Sequence, residues 1–175
     1  ADGNIVAVGN DSYRLVDGEP CCSGMIGVFE FNSEKSEWVQ LGDSIFGNEQ
    51  ERIGHYVSLS DDGLTLAVGG PQWSTARGVA KVYTLENDKW QQKGSSLYGR
   101  DSKQDFFGWA VKISGDGNTL VASAIGDDTN GRSSGSVKVF TWDGNDWNQM
   151  GNDINGDGEN SALGRAISIS YDGTL

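Results

Sequence analysis

Apolar residues return at every second position in a set of short segments, and the segments themselves recur along the chain. "YVSLS" from Tyr56, "AVKIS" from Ala110 and "AISIS" from Ala166 put Val57, Val111 and Ile167, then Leu59, Ile113 and Ile169, on one side, with serine and lysine on the other. Alternation of this kind predicts a half-buried strand. A second type, "IVAVG" from Ile5, "TLAVGG" from Thr65 and "TLVASA" from Thr119, is apolar on both faces and built from small residues. It predicts a buried strand that other strands approach closely. A third, "GVFEF", "AKVYTL" and "SVKVFTW", carries β-branched and aromatic residues that fit a pleated surface. The fourth begins at Trp38, Trp90 and Trp147, and short polar turns such as "DGND" at 143–146 join it to the third as a hairpin. No helical period competes.

Three markers fix the repeat. Asp62-Gly63, Asp116-Gly117 and Asp172-Gly173 lie 54 and 56 residues apart, and the three tryptophans 52 and 57 apart. Gly54, Gly108 and Gly164 close "ERIG", "DFFG" and "SALG". Four strands in every repeat of about 54 residues predict an all-β fold of propeller blades, because one blade cannot bury both its faces alone. The chain reads as a single propeller segment over 1–175: partial repeat 1–54, repeat 55–108, repeat 109–164 and partial repeat 165–175. That is about three blades, below the roughly four to eight of natural propellers, and predicts a piece of a longer chain.

Composition narrows the partners. Glycine, at 26 residues against 2 prolines, marks many turns rather than disorder. With 25 acidic and 13 basic residues the net charge is -12, which repels phosphate backbones and anionic lipid heads and argues against a nucleic-acid partner. No apolar run nears the roughly 18 residues of a membrane helix, so direct membrane insertion is not expected, and "ADGNIVAVGN" lacks the regions of a signal peptide. Cys21 and Cys22 are adjacent in the loop-like "VDGEPCCSG". Disulfides want Cα atoms about 4.4 to 6.8 Å apart, so two unpaired thiols are the favoured expectation, with pairing elsewhere or metal binding as alternatives.

"VGGP" at 68–71, "FFG" at 106–108 and "VAKVY" at 79–83 resemble FG-GAP repeats, the blades of integrin α-subunit heads and of secreted, surface-attached repeat proteins. "VGNDSY" and "ASAIGDD" replace the signature in the other two repeats. The resemblance implies a propeller, an exported location, and binding or adhesion rather than catalysis. Many members carry a DxNxDG calcium loop between a blade's first and second strands. Here that place holds only "SDDGLT", "SGDGNT" and "SYDGTL", too short to encircle an ion, so calcium does not carry over at its usual position.

A calcium-like stretch stands elsewhere. "DINGDGEN" at 153–160 alternates Asp153, Asn155 and Asp157 before Gly158, yet it follows the fourth strand, where Ile154 matches Ile45 and Leu97, and Gly156 matches Gly47 and Gly99. Antiparallel alternation puts second-to-third and fourth-to-first loops on one rim. Asp127 and Asp128 of "GDDTNG" therefore share a face with Asp157 and Glu159, and the four could meet a cation or a basic partner, or be solvated turns. No cofactor is otherwise implied. "GRSSG" at 131–135 imitates a nucleophile elbow but is followed by a strand, and the only histidine, His55, takes a place held by Trp109 and Arg165 in sister repeats. Trp38, Trp90 and Trp147 are structural, whereas Trp73 sits in the loop "PQWSTARG" as a candidate anchor for a partner or sugar. Second-to-third loops vary most, with 14, 8 and 11 residues, and "NDS" at 10–12 is a glycosylation sequon in the longest. The function expected is a non-enzymatic extracellular or cell-surface module for adhesion, recognition or scaffolding, binding protein or glycan through its loops. A structural subunit of a surface filament or larger complex is the alternative. A further one is part of a propeller-fold, glycan-processing enzyme whose catalytic residues lie elsewhere.

Overall fold

A computed structural model of the chain describes residues 3–13, 22–72, 77–100 and 104–173. Among these, every regular element is a strand, and the strands form three antiparallel sheets. The first holds β1 (Ile5–Asn10), β2 (Met25–Asn32), β3 (Glu37–Gln40) and β4 (Ile45–Phe46). The second holds β5 (Tyr56–Leu59), β6 (Thr65–Gly70), β7 (Val79–Glu86), β8 (Lys89–Gln92) and β9 (Leu97–Tyr98). The third holds β10 (Phe107–Ile113), β11 (Thr119–Ala124), β12 (Ser136–Trp142), β13 (Trp147–Gln149) and β14 (Ile154–Asn155). Neighbours in sequence are neighbours in each sheet, which makes the three sheets propeller blades of one plan.

Two apolar layers lie between the sheets. Ile26, Val28 and Ile45 of the first pack with Leu66, Val68 and Val79 of the second. Ala67, Ala80 and Val82 on the second sheet's other face pack with Phe107, Leu120 and Ala122 of the third. This is why β6 is apolar on both faces: Leu66 and Val68 serve one layer and Ala67 the other, and the strand is buried along its whole length. Burying one such Leu or Val contributes about 1.5 to 3 kcal/mol. The repeating tryptophans tie sheet to sheet: Trp90 Nε1 donates to Leu41 O at 2.9 Å and Trp147 Nε1 to Lys93 O at 2.8 Å.

Three elements differ from the pattern. The fourth strand is broken into β3 and β4, β8 and β9, and β13 and β14, each half pairing with the third strand. Gly42, Gly94 and Gly151 sit at the break with φ of 72°, 74° and 70°, a left-handed step that glycine takes without steric penalty. β1 reads as a buried strand, yet Val6 and Val8 are 36% and 56% exposed while the matching Leu66 and Val68 are fully buried. The reason is that no sheet covers that side of β1 among the described residues. Residues 166–170, expected as a first strand, enter no ladder. Elsewhere that strand pairs with a second one, as β5 does with β6 and β10 with β11.

Candidate functional site: the loop rim

Backbone geometry joins the two loop families into one rim. In the third repeat Asn160 N donates to Arg132 O at 2.7 Å, Ala162 N to Ser133 O at 2.9 Å and Leu163 N to Ser134 O at 3.0 Å. The same stitches run from Arg52 N to Cys22 O, from Ile53 N to Ser23 O, and from Phe107 N to Arg77 O. Each closes on a short parallel bridge, Gly24 to Ile53, Gly78 to Phe107 and Gly135 to Leu163. The fourth-to-first loops also share a strained path. Gln50 and Arg52, Gln104 and Phe106, and Asn160 and Ala162 all have φ between 47° and 72°. Such residues cost on the order of 1 kcal/mol or more each and persist only where their surroundings fix them. Their recurrence at matched places makes the conformation architectural, so "NGDGEN" follows the same loop as its sisters.

The calcium-like stretch is taken up by that architecture. Ile154 and Asn155 are β14, and Gly156 N donates to Gly135 O at 2.9 Å, as Gly47 does to Gly24 and Gly99 to Gly78. A Cβ on Gly156 would stand 2.0 Å from Ser134 O, and one on Gly47 or Gly99 would meet Ser23 O or Arg77 O as closely, so the backbones touch only because these are glycines. Asp153 is an internal ion-pair partner: its carboxylate accepts from Lys138 Nζ at 2.7 Å, Arg100 Nη2 at 2.8 Å and Gln149 Nε2 at 2.8 Å. Burial raises its pKa, but the bonds from Lys138, Gln149 and Arg100 and the charge of Lys138 outweigh that and hold the carboxyl below its usual range. Asn155 Nδ2 reaches Asp153 O at 3.5 Å, and its buried Oδ1 has no hydrogen-bond partner; one oxygen does not make a cation site.

The four acidic candidates share the rim but not one pocket. Asp127 is 1% exposed and turned into its own loop, where it accepts from Thr129 N at 2.8 Å, from the Thr129 hydroxyl and from Ser136 Oγ at 3.1 Å, with Arg100 Nη1 3.6 Å away. Asp128 is exposed and accepts from Ser133 N at 2.6 Å. Asp157 and Glu159 are exposed, the latter with its backbone lying over Gly131. Among the described residues no three acidic, histidine or cysteine side chains group as metal ligands would. Trp73 and Cys21 lie outside the described residues.

Ser133 of "GRSSG" runs directly into β12, with no helix behind it. His55 is engaged elsewhere: its Nδ1 lies 3.3 Å from Asp11 Oδ2 and its ring packs on Trp109 at 4.9 Å. Asp11 also meets Arg52 Nη2 at 3.1 Å. Its burial raises the pKa, and bonds from Ser12 and His55 with the Arg52 charge bring it below the usual value. At Cys22 the expectation of unpaired thiols fails, for Cys22 is disulfide-bonded, and the sequence holds one other cysteine, Cys21. A φ of 88° at Cys22 departs from the ordinary backbone on which that expectation rested.

Two groups escaped the sequence reading. Arg100 bridges the second repeat's loop to Asp153 and Thr129 of the third; its matched positions are Asn48 and Asp157, so no repeat marks it. Lys81 and Glu51 form a buried pair at 2.6 Å, with Glu51 also accepting from Asn48 N at 2.8 Å. Lysines in one register, in "AKVY" and "VKVF", are the signal that could have found it, since Lys138 also spans to a carboxylate.

A search of curated proteins found no match. A family model, that of the FG-GAP repeat, matches residues 101–140, just under a quarter of the chain. The match takes in β10, β11 and most of β12, whose order the second sheet reproduces as β5, β6 and β7, and the first sheet in part as β1 and β2. Over that stretch the chain is similar to the FG-GAP repeat, which is consistent with an FG-GAP-type repeat protein.

Proposed function

We propose that this chain is a non-enzymatic recognition module, displayed outside the cell or on its surface, that binds a protein or glycan partner through its blade-rim loops. The observation that carries this reading is the rim itself: loops with one repeated backbone path display side chains that differ from repeat to repeat. Variable loops on a rigid scaffold are where recognition ordinarily resides. The disulfide at Cys22 fits an oxidising compartment. Ser133 has no histidine base beside it, and His55 is held by Asp11 and Trp109, which favours binding over catalysis. With a net charge of -12 and Asp128, Asp157 and Glu159 exposed, the complementary partner is a lysine-rich protein surface or a neutral glycan rather than a nucleic acid or anionic lipid. No cofactor is required.

Labelled chain offered to an array of neutral and sulfated glycans, and to immobilised lysine-rich peptides, should show saturable binding to one neutral class or to the peptides. Combined Asp157→Ala and Glu159→Ala should weaken peptide binding about tenfold, and Trp73→Ala glycan binding similarly, a change of about 1.4 kcal/mol. No saturable binding, or binding that neither variant alters, sinks the reading. Calorimetric heat with calcium that Asp157→Ala abolishes would replace it with a calcium-dependent one. A second reading, a structural subunit of a larger assembly, is favoured by an open apolar trough of about 780 Å³ on the third sheet.

A further inference from the structure

Along β7 every second residue faces the third sheet, and Ala80 and Val82 fill the apolar layer there. The same row continues with Thr84 and Glu86, while the register sets Gln91 opposite Thr84 and Lys89 opposite Glu86, on the same side. The apolar filling stops at Val82. Beyond it the second and third sheets, each with all its strands in place, stand apart around a cleft of about 480 Å³ with Trp142 of β12 on its far wall. Ligand pockets commonly hold about 300 to 1,000 Å³.

The polar groups of this cleft are unused. The side chains of Thr84, Glu86, Asn87, Lys89 and Gln91 make no hydrogen bond or ion pair among the described residues, although Glu86 and Lys89 stand opposite each other. Two amides, a hydroxyl, a carboxylate and an ammonium group therefore offer donors and acceptors to one space. Lys93 on the same wall is committed elsewhere, donating from Nζ to Gly117 O at 2.8 Å and to Asn118 Oδ1 at 3.3 Å. Glu86 and Lys89 then balance, and no ion is singled out.

The far wall is rigid and exceeds what packing requires. Lys93 Nζ lies 5.0 Å from the Trp142 ring and 5.5 Å from that of Trp147, and the two rings are 5.4 Å apart. Leu85 holds the matched place in the second sheet. Its Cδ1 is 2.9 Å from where a Cβ on Gly42 would stand, as Trp142 Cζ3 is 2.7 Å from that of Gly94. Leucine thus meets the packing need, and the larger indole reaches the cleft. Gln91 likewise stands where the first sheet has Val39.

We propose that this cleft binds a neutral sugar residue of a glycan, its C–H face against the Trp142 indole and its hydroxyls bonded by Thr84, Asn87 and Gln91. A sugar ring joins an apolar face to an edge of donors and acceptors, and it carries no charge for Glu86 or Lys89 to repel. The site is separate from the loop rim, because the 86–89 hairpin turns at the opposite end of the strands from the second-to-third and fourth-to-first loops. It stands whether or not the rim binds a partner.

The 175-residue chain titrated with neutral hexose and N-acetylhexosamine trisaccharides should show, by NMR, saturable shifts of the Trp142 indole N–H and the Gln91 amide at concentrations up to about 10 mM. Gln91→Val and Trp142→Leu, which install the residues of the matched places, should each weaken binding about tenfold, the scale of one lost hydrogen bond or one aromatic contact. Gln91 is exposed, so Gln91→Val should leave melting unchanged and keeps the test decisive if Trp142→Leu lowers it. Trp73→Ala should leave this binding intact. Binding that Trp73→Ala abolishes and both cleft variants retain would leave a glycan site on the rim and overturn this one. So would shifts given only by a sulfated heparin disaccharide, or no saturable shift with any of the neutral sugars.

Discussion

Gly156 and Gly158 stand two residues apart in the same stretch, and the structure gives them opposite weights. Gly156 has backbone 2.0 Å from where a Cβ would go, while Gly158 has nothing within 4 Å. If the stretch were a calcium loop the sharp turn at Gly158 would matter most. Gly156→Ala should therefore destabilise by about 2 to 3 kcal/mol, and Gly158→Ala should stay within about 0.5 kcal/mol, read by urea unfolding. Equal effects would show that the strand-and-turn assignment is wrong. At this scale the sequence was informative wherever a residue repeated. Ile154 and Gly156 could be placed in β14 and its turn by laying three repeats together, without knowing which backbone atoms touch. Arg100 and Asp153 were not legible, because their ion pair joins positions that are neither matched nor near in sequence, and only the packing of one blade against the next brings them together. Asp127 looked like a surface ligand because aspartates favour turns, and nothing local says that this one points inward.

Between neighbouring blades the tryptophans are the clearest element-level device. Trp147 is 6% exposed and Trp90 half-buried, each donating its indole N–H to the preceding blade, whereas Trp38 is 48% exposed and meets no such blade among the described residues. Trp90→Phe and Trp147→Phe should each cost about 1 kcal/mol of stability, and Trp38→Phe about zero, measured by denaturant midpoint. A cost at Trp38 equal to the other two would mean that the tryptophans act within their own blades instead. The four-strand plan was legible because alternation, small-residue runs and aromatic strands differ in kind. The broken fourth strand was not, since a glycine in "LGD", "KGS" or "MGN" reads simply as a turn until its left-handed φ is seen. The exposure of β1 and the absence of 166–170 from any ladder among the described residues were equally hidden: both depend on what lies beside a strand, and the strand's own residues match those of its buried sisters.

Over the whole molecule, acidic composition and buried contacts pull stability in different directions with pH. Asp11, Glu51, Asp116 and Asp153 are held below their usual pKa by hydrogen bonds, and for Asp11, Glu51 and Asp153 also by cationic neighbours, against the opposing effect of burial. A carboxyl whose folded pKa is depressed stabilises the fold above its unfolded value, and that contribution disappears as pH falls through the folded value. The unfolded values are 3.8 and 4.5, so the acid loss begins near pH 4.5 and continues below 3.8. Down to that window the net charge of -12 is being neutralised, which relieves repulsion, so stability should not fall between pH 7 and about 5. The alkaline side has its own group. Burial, with the Glu51 charge adding to it, pushes Tyr83 from 10.0 up to about 12. A raised pKa stabilises the neutral form below the unfolded value, so this contribution is intact below pH 10 and is lost between 10 and about 12. Urea midpoints taken across pH should give a plateau flanked by two falls. Asp153→Asn should lower the plateau by on the order of 2 kcal/mol and flatten the acid fall. Tyr83→Phe should leave the acid fall alone and hold its midpoint at pH 11, where the native chain has begun to lose on the order of 1 to 2 kcal/mol. If Tyr83→Phe and the native chain decline together above pH 10, the buried phenol is not the alkaline determinant, and some other group would have to carry that fall.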